Sequence, residues 1–507
     1  MDNLFSKENL TKNKYLIILI LILLLGFFIR IQYFHINQGV WWDEAEYLNM
    51  AKKWAYNLPA DISDKRPILI SFIFFLMYKI NLGETSFRIL MLLFSLGGIL
   101  LSYLLVKEMF NNKKLALITS FMASVFYLSV FYCQRLLVEF PSLTLTLWVF
   151  YLFWKGYMKD KPKLLYLMGI VLALSVMLRF TGGLAGIIIV LFVLIKDKFK
   201  ALKNKHLWIA LLLFFLTITP YLIYSYMTYG NPIQSFITSG GSATVAVEGG
   251  SKFTFSMGLS QLWIYLGFLK EYTKFFWFIF VIIGLYKLLD FILGFDLMIK
   301  GKNETQYPNL FVILMFIIPL IYFSFFVNHF EDRYGLYLVP VLFIFSGYGI
   351  LVLYDLIKKH NKTIAIIALL IVLAIGGYQQ YKDADSLIKS RASSFGALNP
   401  AGKWLNAHTT PEDNILSVNT QMELQYYAGR YVRGLGINET VAVDYIQKNK
   451  PKYLVVSAYF PSPEWQFKFA EYYQQYLKPV MAFDADSKMI TTQEQQPVLI
   501  IYEFIYS

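Results

Sequence analysis

The stretch GVWWDEAEYLNMAKKW, residues 39–54, sets Asp43, Glu44 and Glu46 within four positions of a chain that is otherwise strongly apolar. Acidic residues in a first helical turn complement the helix dipole, and Asp43 also suits a cap for a helix running on through Trp54. The position points to chemistry. Trp41 and Trp42 are residues of the headgroup level, and a carboxylate held partly out of water there has a raised pKa and can accept a proton from an alcohol or amine.

Three further polar patches stand out. In DKRPIL, Lys65 and Arg66 precede an apolar segment; they fit surface anchoring, or a phosphate site built from a point charge and a planar fork of donors. In CQRLLVEFP, Arg135 and Glu139 are spaced i, i+4 and suit an ion pair on one helix face. Charges at a span boundary should face a cavity or each other, because drawing them to the bilayer centre costs about 2.5–3.5 kcal/mol. Arg88 and Arg179 are single arginines near helix ends and are read as snorkelling. In NHFEDRYGLYLVP, His329, Glu331, Asp332, Arg333 and Tyr334 crowd a very short loop. Arg333 is the natural phosphate ligand there, and His329 beside a carboxylate is a weak metal pattern. Acids and phosphate-binding cations gathered around a hydrophobic groove suit a substrate with a phosphate head and a long lipid tail.

The elements that must position these residues are membrane helices. Over 507 residues, 57% are hydrophobic, 18% aromatic and 16% charged, against about a quarter charged in soluble domains. Runs such as YLIILILILLLGFFI approach the roughly 20 apolar residues that cross a bilayer. Eleven spans are expected, near 15–33, 87–106, 115–132, 140–155, 164–178, 183–195, 207–226, 274–289, 308–327, 335–355 and 363–380. The first run lacks a small-residue cleavage site and reads as a retained helix. Segment 67–80 is too short to span and is expected to lie in the interface. Lysines at 7–14, 107–114, 155–163, 196–205, 300–302 and 358–362 then fall on one side, which the positive-inside rule makes cytoplasmic. The four polar patches fall outside. The net charge of +13 is therefore topology and excludes a nucleic-acid partner. The single cysteine, Cys133, excludes an internal disulfide and a cysteine-built metal site. Abundant Lys, Ile and Asn point to a prokaryotic plasma membrane.

Residues 1–381 read as the membrane unit and 382–507 as a small extracytoplasmic α/β domain. In the latter, NPAGKWLNAH suits a helix opening on an Asn cap with Pro at its first position. NILSVN, KYLVVSAY, PVMAF and PVLIIYEF read as strands. ETVAVDYIQKNK and SPEWQFKFAEYYQQYL read as helices. No phosphate loop, metal spacing or nucleophile elbow appears in it, so an accessory or acceptor-recognition role is expected. No repeats or low-complexity segments are found.

The succession of a first span, WWDEAEYLNMAKKW, DKRPILISFIFFLMYKINLGETSFRIL, YCQRLLVEFPSL and HFEDRYGLYLVP resembles the membrane glycosyltransferases of the C-type fold. Within them it is similar to the branch holding the protein O-mannosyltransferases (glycosyltransferase family 39) and the lipid A aminoarabinose transferases. The likeness covers roughly residues 10–380, with the Asp-Glu pair its most specific element and Gly83 with Arg88 adding support. It implies an inverting transfer from a polyprenyl-phosphate sugar to a glycan, lipid or protein acceptor outside the membrane. Asp43 maps to the expected base and Glu44 to a group orienting acceptor or base. Lys65, Arg66 and Arg333, with Arg135 as a further candidate, map to the donor phosphate. Glu46, Arg88, Glu139, His329, Glu331, Asp332 and Tyr334 complete the candidate set. Two departures stand: Pro67-Ile68 replaces a common Pro-Pro, and the zinc-linked Glu and His of some aminoarabinose transferases have no clear match. No metal ligands are therefore assigned, and divalent-metal dependence stays open. The triplet WWD is similar to the WWDYG signature of oligosaccharyltransferases, but that belongs in a soluble tail and Glu44-Ala45 replaces its Tyr-Gly, so the likeness is read as coincidence. A lipid-linked-glycan transporter is the alternative; few mid-span charges and no internal repeat speak against it. A non-catalytic relative would not need the intact Asp-Glu pair.

Overall fold

The computed structural model describes residues 7–60, 66–238, 254–299, 303–327, 329–490 and 496–506. The expected spans each correspond to a helix: α1 (Lys7–Ile31), α4 (Glu84–Phe110), α5 (Lys113–Val125), α7 (Glu139–Phe153), α8 (Lys163–Leu178), α9 (Leu184–Asp197), α10 (Lys205–Tyr229), α11 (Phe255–Gly284), α13 (Tyr307–Phe325), α14 (Val339–Lys358) and α15 (Lys362–Arg391). Among the described residues, eight helical segments are long and apolar enough to cross a membrane. Helices α5, α7 and α8 are shorter, at 13, 15 and 16 residues, and α5 and α7 are almost wholly buried by their neighbours. Large apolar side chains such as Leu21, Phe28, Leu93, Ile282 and Leu370 remain exposed on the outward faces, as a lipid-facing bundle requires.

Three expectations change. The span placed at 115–132 breaks at Phe126 into α5 and a one-turn-and-a-half helix α6 (Tyr127–Tyr132). The span placed at 274–289 falls on α11, which begins at Phe255 and kinks at Lys274, where φ is 57°, and on the start of α12 (Tyr286–Ile299). Helix α15 runs to Arg391, past the expected boundary at 381. Segment 67–80 forms α3 (Leu69–Lys79), an 11-residue helix too short to cross, packed on α2 (Trp42–Tyr56).

Close helix approach uses small residues. Helices α11 and α14 cross at Gly284 and Gly349; a Cβ on Gly284 would strike the Phe345 carbonyl, and one on Gly349 the Phe280 carbonyl. A buried cation ties the first helix to the bundle. Arg30 donates to Ser95 Oγ (2.8 Å), Gly26 O (2.9 Å), Ser124 O (2.7 Å) and Ser129 Oγ (2.7 Å). Its charge is solvated by oxygens of α1, α4, α5 and α6 where no water reaches.

The C-terminal unit is a five-stranded sheet of order β2-β1-β3-β5-β4, made of β1 (Ile415–Ser417), β2 (Val432–Gly434), β3 (Tyr453–Ser457), β4 (Leu477–Phe483) and β5 (Leu499–Phe504). β1 pairs parallel with β2 and β3, while β5 pairs antiparallel with β3 and β4. Alternate residues feed two cores, Ile415 and Val455 on one face and Leu416 and Leu454 on the other, as the two-residue period dictates. Helix α16 (Leu398–His408) starts one residue before Asn399, with Ala397 at its N-cap position, so the expected Asn cap is absent. Helices α18 (Glu439–Asn449) and α19 (Glu464–Tyr472) fall where expected. Strand β2 and helix α17 (Gln421–Ala428) carry no expectation. Helix α17 docks on α2: Asn49 Nδ2 donates to Met422 O and Lys52 Nζ to Tyr426 O, both at 2.8 Å.

Candidate active site

Helix α2 opens at Trp41, not at Asp43. The Trp41 amide donates to Glu44 Oε2 at 2.6 Å, closing the first turn. The other oxygen of Glu44 accepts the Leu136 amide at 2.5 Å. Glu44 is 1% exposed, and burial raises its pKa against the pull of Arg135 and Arg88. It is a staple between α2 and the turn before α7. Both of its oxygens are taken up by backbone amides in the interior.

That staple fixes Asp43 one residue earlier, on the other side of the first turn. Asp43 Oδ1 meets Arg66 Nη2 at 2.5 Å, and Oδ2 meets Arg333 Nη1 at 2.8 Å. Arg66 Nε also pairs with Glu46. Arg333 Nη1 reaches Glu139 Oε1 at 3.1 Å, and its Nε pairs with Glu331. Glu139 Oε1 accepts from Arg179 Nη1 at 2.5 Å, while its Oε2 has no partner among the described residues. The result is an alternating chain, Glu46–Arg66–Asp43–Arg333–Glu139–Arg179, with Glu331 as a branch. Asp43 and Arg333 side chains are each 19% exposed and Arg66 is 28% exposed, so the chain borders solvent.

The electrostatics overturn one expectation. Burial pushes the Asp43 carboxyl up, but Arg66 and Arg333 outweigh it and hold the pKa below its ordinary value. Glu46 goes the other way: burial wins over Arg66 and raises it. Burial also raises Glu331, yet His329 and Arg333 bring it down to about 2. Two neighbouring carboxyls in one network, Asp43 and Glu46, are thus driven apart, the one held down by two arginines and the other pushed up by burial.

Loop 329–338 is held from below. Asp332 turns away from the chain and accepts from Tyr132 Oη at 3.0 Å, while its carbonyl accepts from Tyr272 Oη at 2.8 Å. His329 Nε2 lies 2.9 Å from Glu331 Oε1 and 3.1 Å from Tyr334 Oη. The Tyr334 ring stacks on Phe323.

Several expectations part company here. Arg135 is 1% exposed, donates to Gly39 O (3.0 Å) and Arg391 O (2.9 Å), and stacks on Trp41. It is a strut, not a phosphate ligand, and it does not pair with Glu139, because α7 starts only at Glu139. Arg88 donates to Gln134 O at 2.6 Å and pairs with Glu84 at 2.5 Å, so it is buried scaffold and does not snorkel. Arg179 does not snorkel either; it belongs to the charged chain. Lys65 lies outside the described residues. The sequence reading missed Glu423 of α17, which is fully buried, and Tyr426 of α17, whose Oη donates to Glu84 at 3.2 Å. No motif marks them. Among the described residues no group of three His, Cys, Asp or Glu has metal-ligand geometry.

Ile68 and Leu69, just after Arg66 in the chain, help to line an apolar cleft of about 470 Å³ together with Trp54, Phe72, Met177 and Tyr224, among others. Paired arginines that can exchange a carboxylate for a phosphate, with an apolar groove starting two residues along the chain from Arg66, are what the arrangement offers chemically.

Residues 65–224 match the family model described as dolichyl-phosphate-mannose-protein mannosyltransferase. No curated protein matches the sequence. Among solved structures, ArnT from Cupriavidus metallidurans bound to undecaprenyl phosphate superposes with a TM-score of 0.68 at 13% identity, covering 98% of this chain and 99% of that one. Its apo form gives a TM-score of 0.65 at 12% identity, covering 97% and 98%. The apo oligosaccharyltransferase of Archaeoglobus fulgidus gives 0.61 at 14% identity, covering 98% of this chain and 76% of that one. At these identities the likeness is one of fold.

Proposed function

We propose that this chain, which carries the C-type glycosyltransferase fold, moves a sugar from a polyprenyl-phosphate donor to an acceptor on the extracytoplasmic side of a prokaryotic plasma membrane. One observation carries the reading: Asp43 is clamped between Arg66 and Arg333, and the chain just after Arg66, at Ile68 and Leu69, lines an apolar cleft. The cleft suits the prenyl chain, and the arginines suit its phosphate. The matches to a mannosyltransferase family model and to an ArnT bound to undecaprenyl phosphate support the same substrate class.

The reaction follows from the clamp. The donor phosphate competes with Asp43 for Arg66 and Arg333. As the guanidiniums turn to phosphate, Asp43 loses the partners that lower its pKa and becomes a better base. The acceptor oxygen or nitrogen attacks the anomeric carbon with inversion, its proton passes to Asp43, and the sugar–phosphate bond breaks. Arg66 and Arg333 take up the charge on the departing lipid phosphate without solvent reorganisation. Glu139 and Glu331 hold Arg333 in place from behind.

Sidedness rests on the lysine-rich connections. They lie at the ends of α4, α7, α9 and α14 opposite the charged chain, about 40 Å away along a 27-residue helix such as α4. Lysine-rich ends face the cytoplasm, so the site faces outward.

The test is to incubate purified protein with a panel of polyprenyl-phosphate sugars and to read released lipid phosphate by mass spectrometry. Asp43→Asn should retain donor binding and lower release about 10²–10⁴-fold. Undiminished release by the variant would remove Asp43 as base, and no release from any donor would remove the reading. An EDTA arm in the same assay reports metal dependence.

A further inference from the structure

Helix α17 brings a carboxyl from the C-terminal unit to the back of the charged site. Glu423 is 0% exposed, and neither of its oxygens meets a hydrogen-bond donor of another residue among those described. The residues around it are pinned to α2 through Met422 O to Asn49 and Tyr426 O to Lys52. Its own backbone amide favours the charged form, while Asp43, Glu46 and Glu44 of α2, themselves paired with Arg66, Arg333 and Arg135, disfavour it. Cations on the elements packed against α17 are engaged elsewhere. Lys52 is held by the Tyr426 carbonyl and lies 4.0 Å from that ring's centroid. Arg433 of β2 stacks on Tyr445. On α16, His408 bonds the Trp404 carbonyl and Lys403 is exposed.

A fully buried carboxylate whose oxygens meet no donor of another described residue is not a stable arrangement; a neutral acid there is. We propose that Glu423 is a positioning residue held protonated, and that its protonation lets the α/β unit seat on α2 and keep Asp43 and Glu46 in register. Burial pushes its pKa up to about 8, and the acids of α2 push the same way. The sign follows. With the unit undocked, Glu423 titrates near its ordinary value, so the docked form holds one more proton between about pH 4.5 and 8. Docking is therefore strongest at the acid end of that window and weakens about tenfold per pH unit as pH rises through it.

This inference does not depend on the transferase reading, because docking is measured without substrate. Hydrogen exchange of the α17 amides, corrected for intrinsic rate, is followed in the full-length protein in nanodiscs from about pH 6 to 8.5. The wild type should lose protection about tenfold per unit up to about pH 8, whereas Glu423→Gln and Glu423→Met, neither of which can ionise, should show no such slope. In the infrared, the carbonyl band of a protonated acid should be present in the wild type at pH 6, fade through about pH 8, and be absent from both variants. Equal slopes in wild type and variants, or a band unaffected by substitution, overturns the proposal.

Discussion

Asp43 meets two guanidiniums at 2.5 and 2.8 Å, and a carboxylate so held gives up little basicity to an incoming proton. If the donor phosphate draws those arginines away, the pKa of Asp43 must rise on binding. The acid limb of kcat, which reports the complex, should then lie at higher pH than the acid limb of kcat/KM, which reports the free protein. Coincident limbs would mean that Arg66 and Arg333 do not change partners. The depressed pKa of Asp43 also fixes a stability sign: the clamp is fully formed above its ordinary pKa and is lost only as pH falls below it. Arg333 serves three carboxylates, Asp43, Glu139 and Glu331. One ammonium cannot repeat that fork, so Arg333→Lys should lower kcat/KM roughly 10- to 100-fold, the worth of about one hydrogen bond between charged groups. Kinetics in the lipid-phosphate assay decide it.

At the scale of elements, two contacts hold the helices that carry these residues. The α11–α14 crossing is set by Gly284 and Gly349, each facing the other helix's carbonyl. Backbone cannot move aside as a side chain can, so Gly349→Ala should force the helices apart and cost about 1–3 kcal/mol, read as a lower melting temperature in detergent while Ala→Gly controls elsewhere are mild. Arg30 is the other. Its four acceptors come from four helices, and Arg30→Met would leave buried oxygens unpaired. A loss of at least about 3 kcal/mol is expected. A variant as stable as the wild type would show that the cage relaxes. Helix α17 belongs at this scale too. Its side chains are partly apolar and partly polar without a clean helical period, so QMELQYYA gives no local sign of a docking helix. Only its partner α2 makes sense of Tyr426 and Glu423.

At the scale of the whole molecule, the proposed sidedness makes a clean labelling prediction, because Cys133 is the sole cysteine and is buried. In cells expressing Lys448→Cys in α18, an impermeant maleimide should label the protein without permeabilisation. With Lys113→Cys at the start of α5, just past the far end of α4, labelling should require it. The reverse pattern would turn the molecule over and put the charged chain in the cytoplasm.

The apolar runs, the lysine-rich connections, the short apolar α3 and most strands of the C-terminal unit were legible along the chain, since bilayer-length hydrophobicity and two-residue alternation are local properties. The acids of residues 43–46 and the arginines at 66 and 333 were legible as chemistry for the same reason: their types are unusual for their surroundings. Which charges meet was not. Asp43 and Arg333 are 290 positions apart, and their contact depends on how α2, α7 and the loop before α14 pack. Arg135 and Glu139, four apart, look like partners, yet the helix begins at Glu139 and leaves Arg135 to Glu44 and two backbone carbonyls. Packing, not spacing, chose the partners, because an ion pair is selected by the three-dimensional position and burial of both ends, and only one end is visible at any point along the sequence.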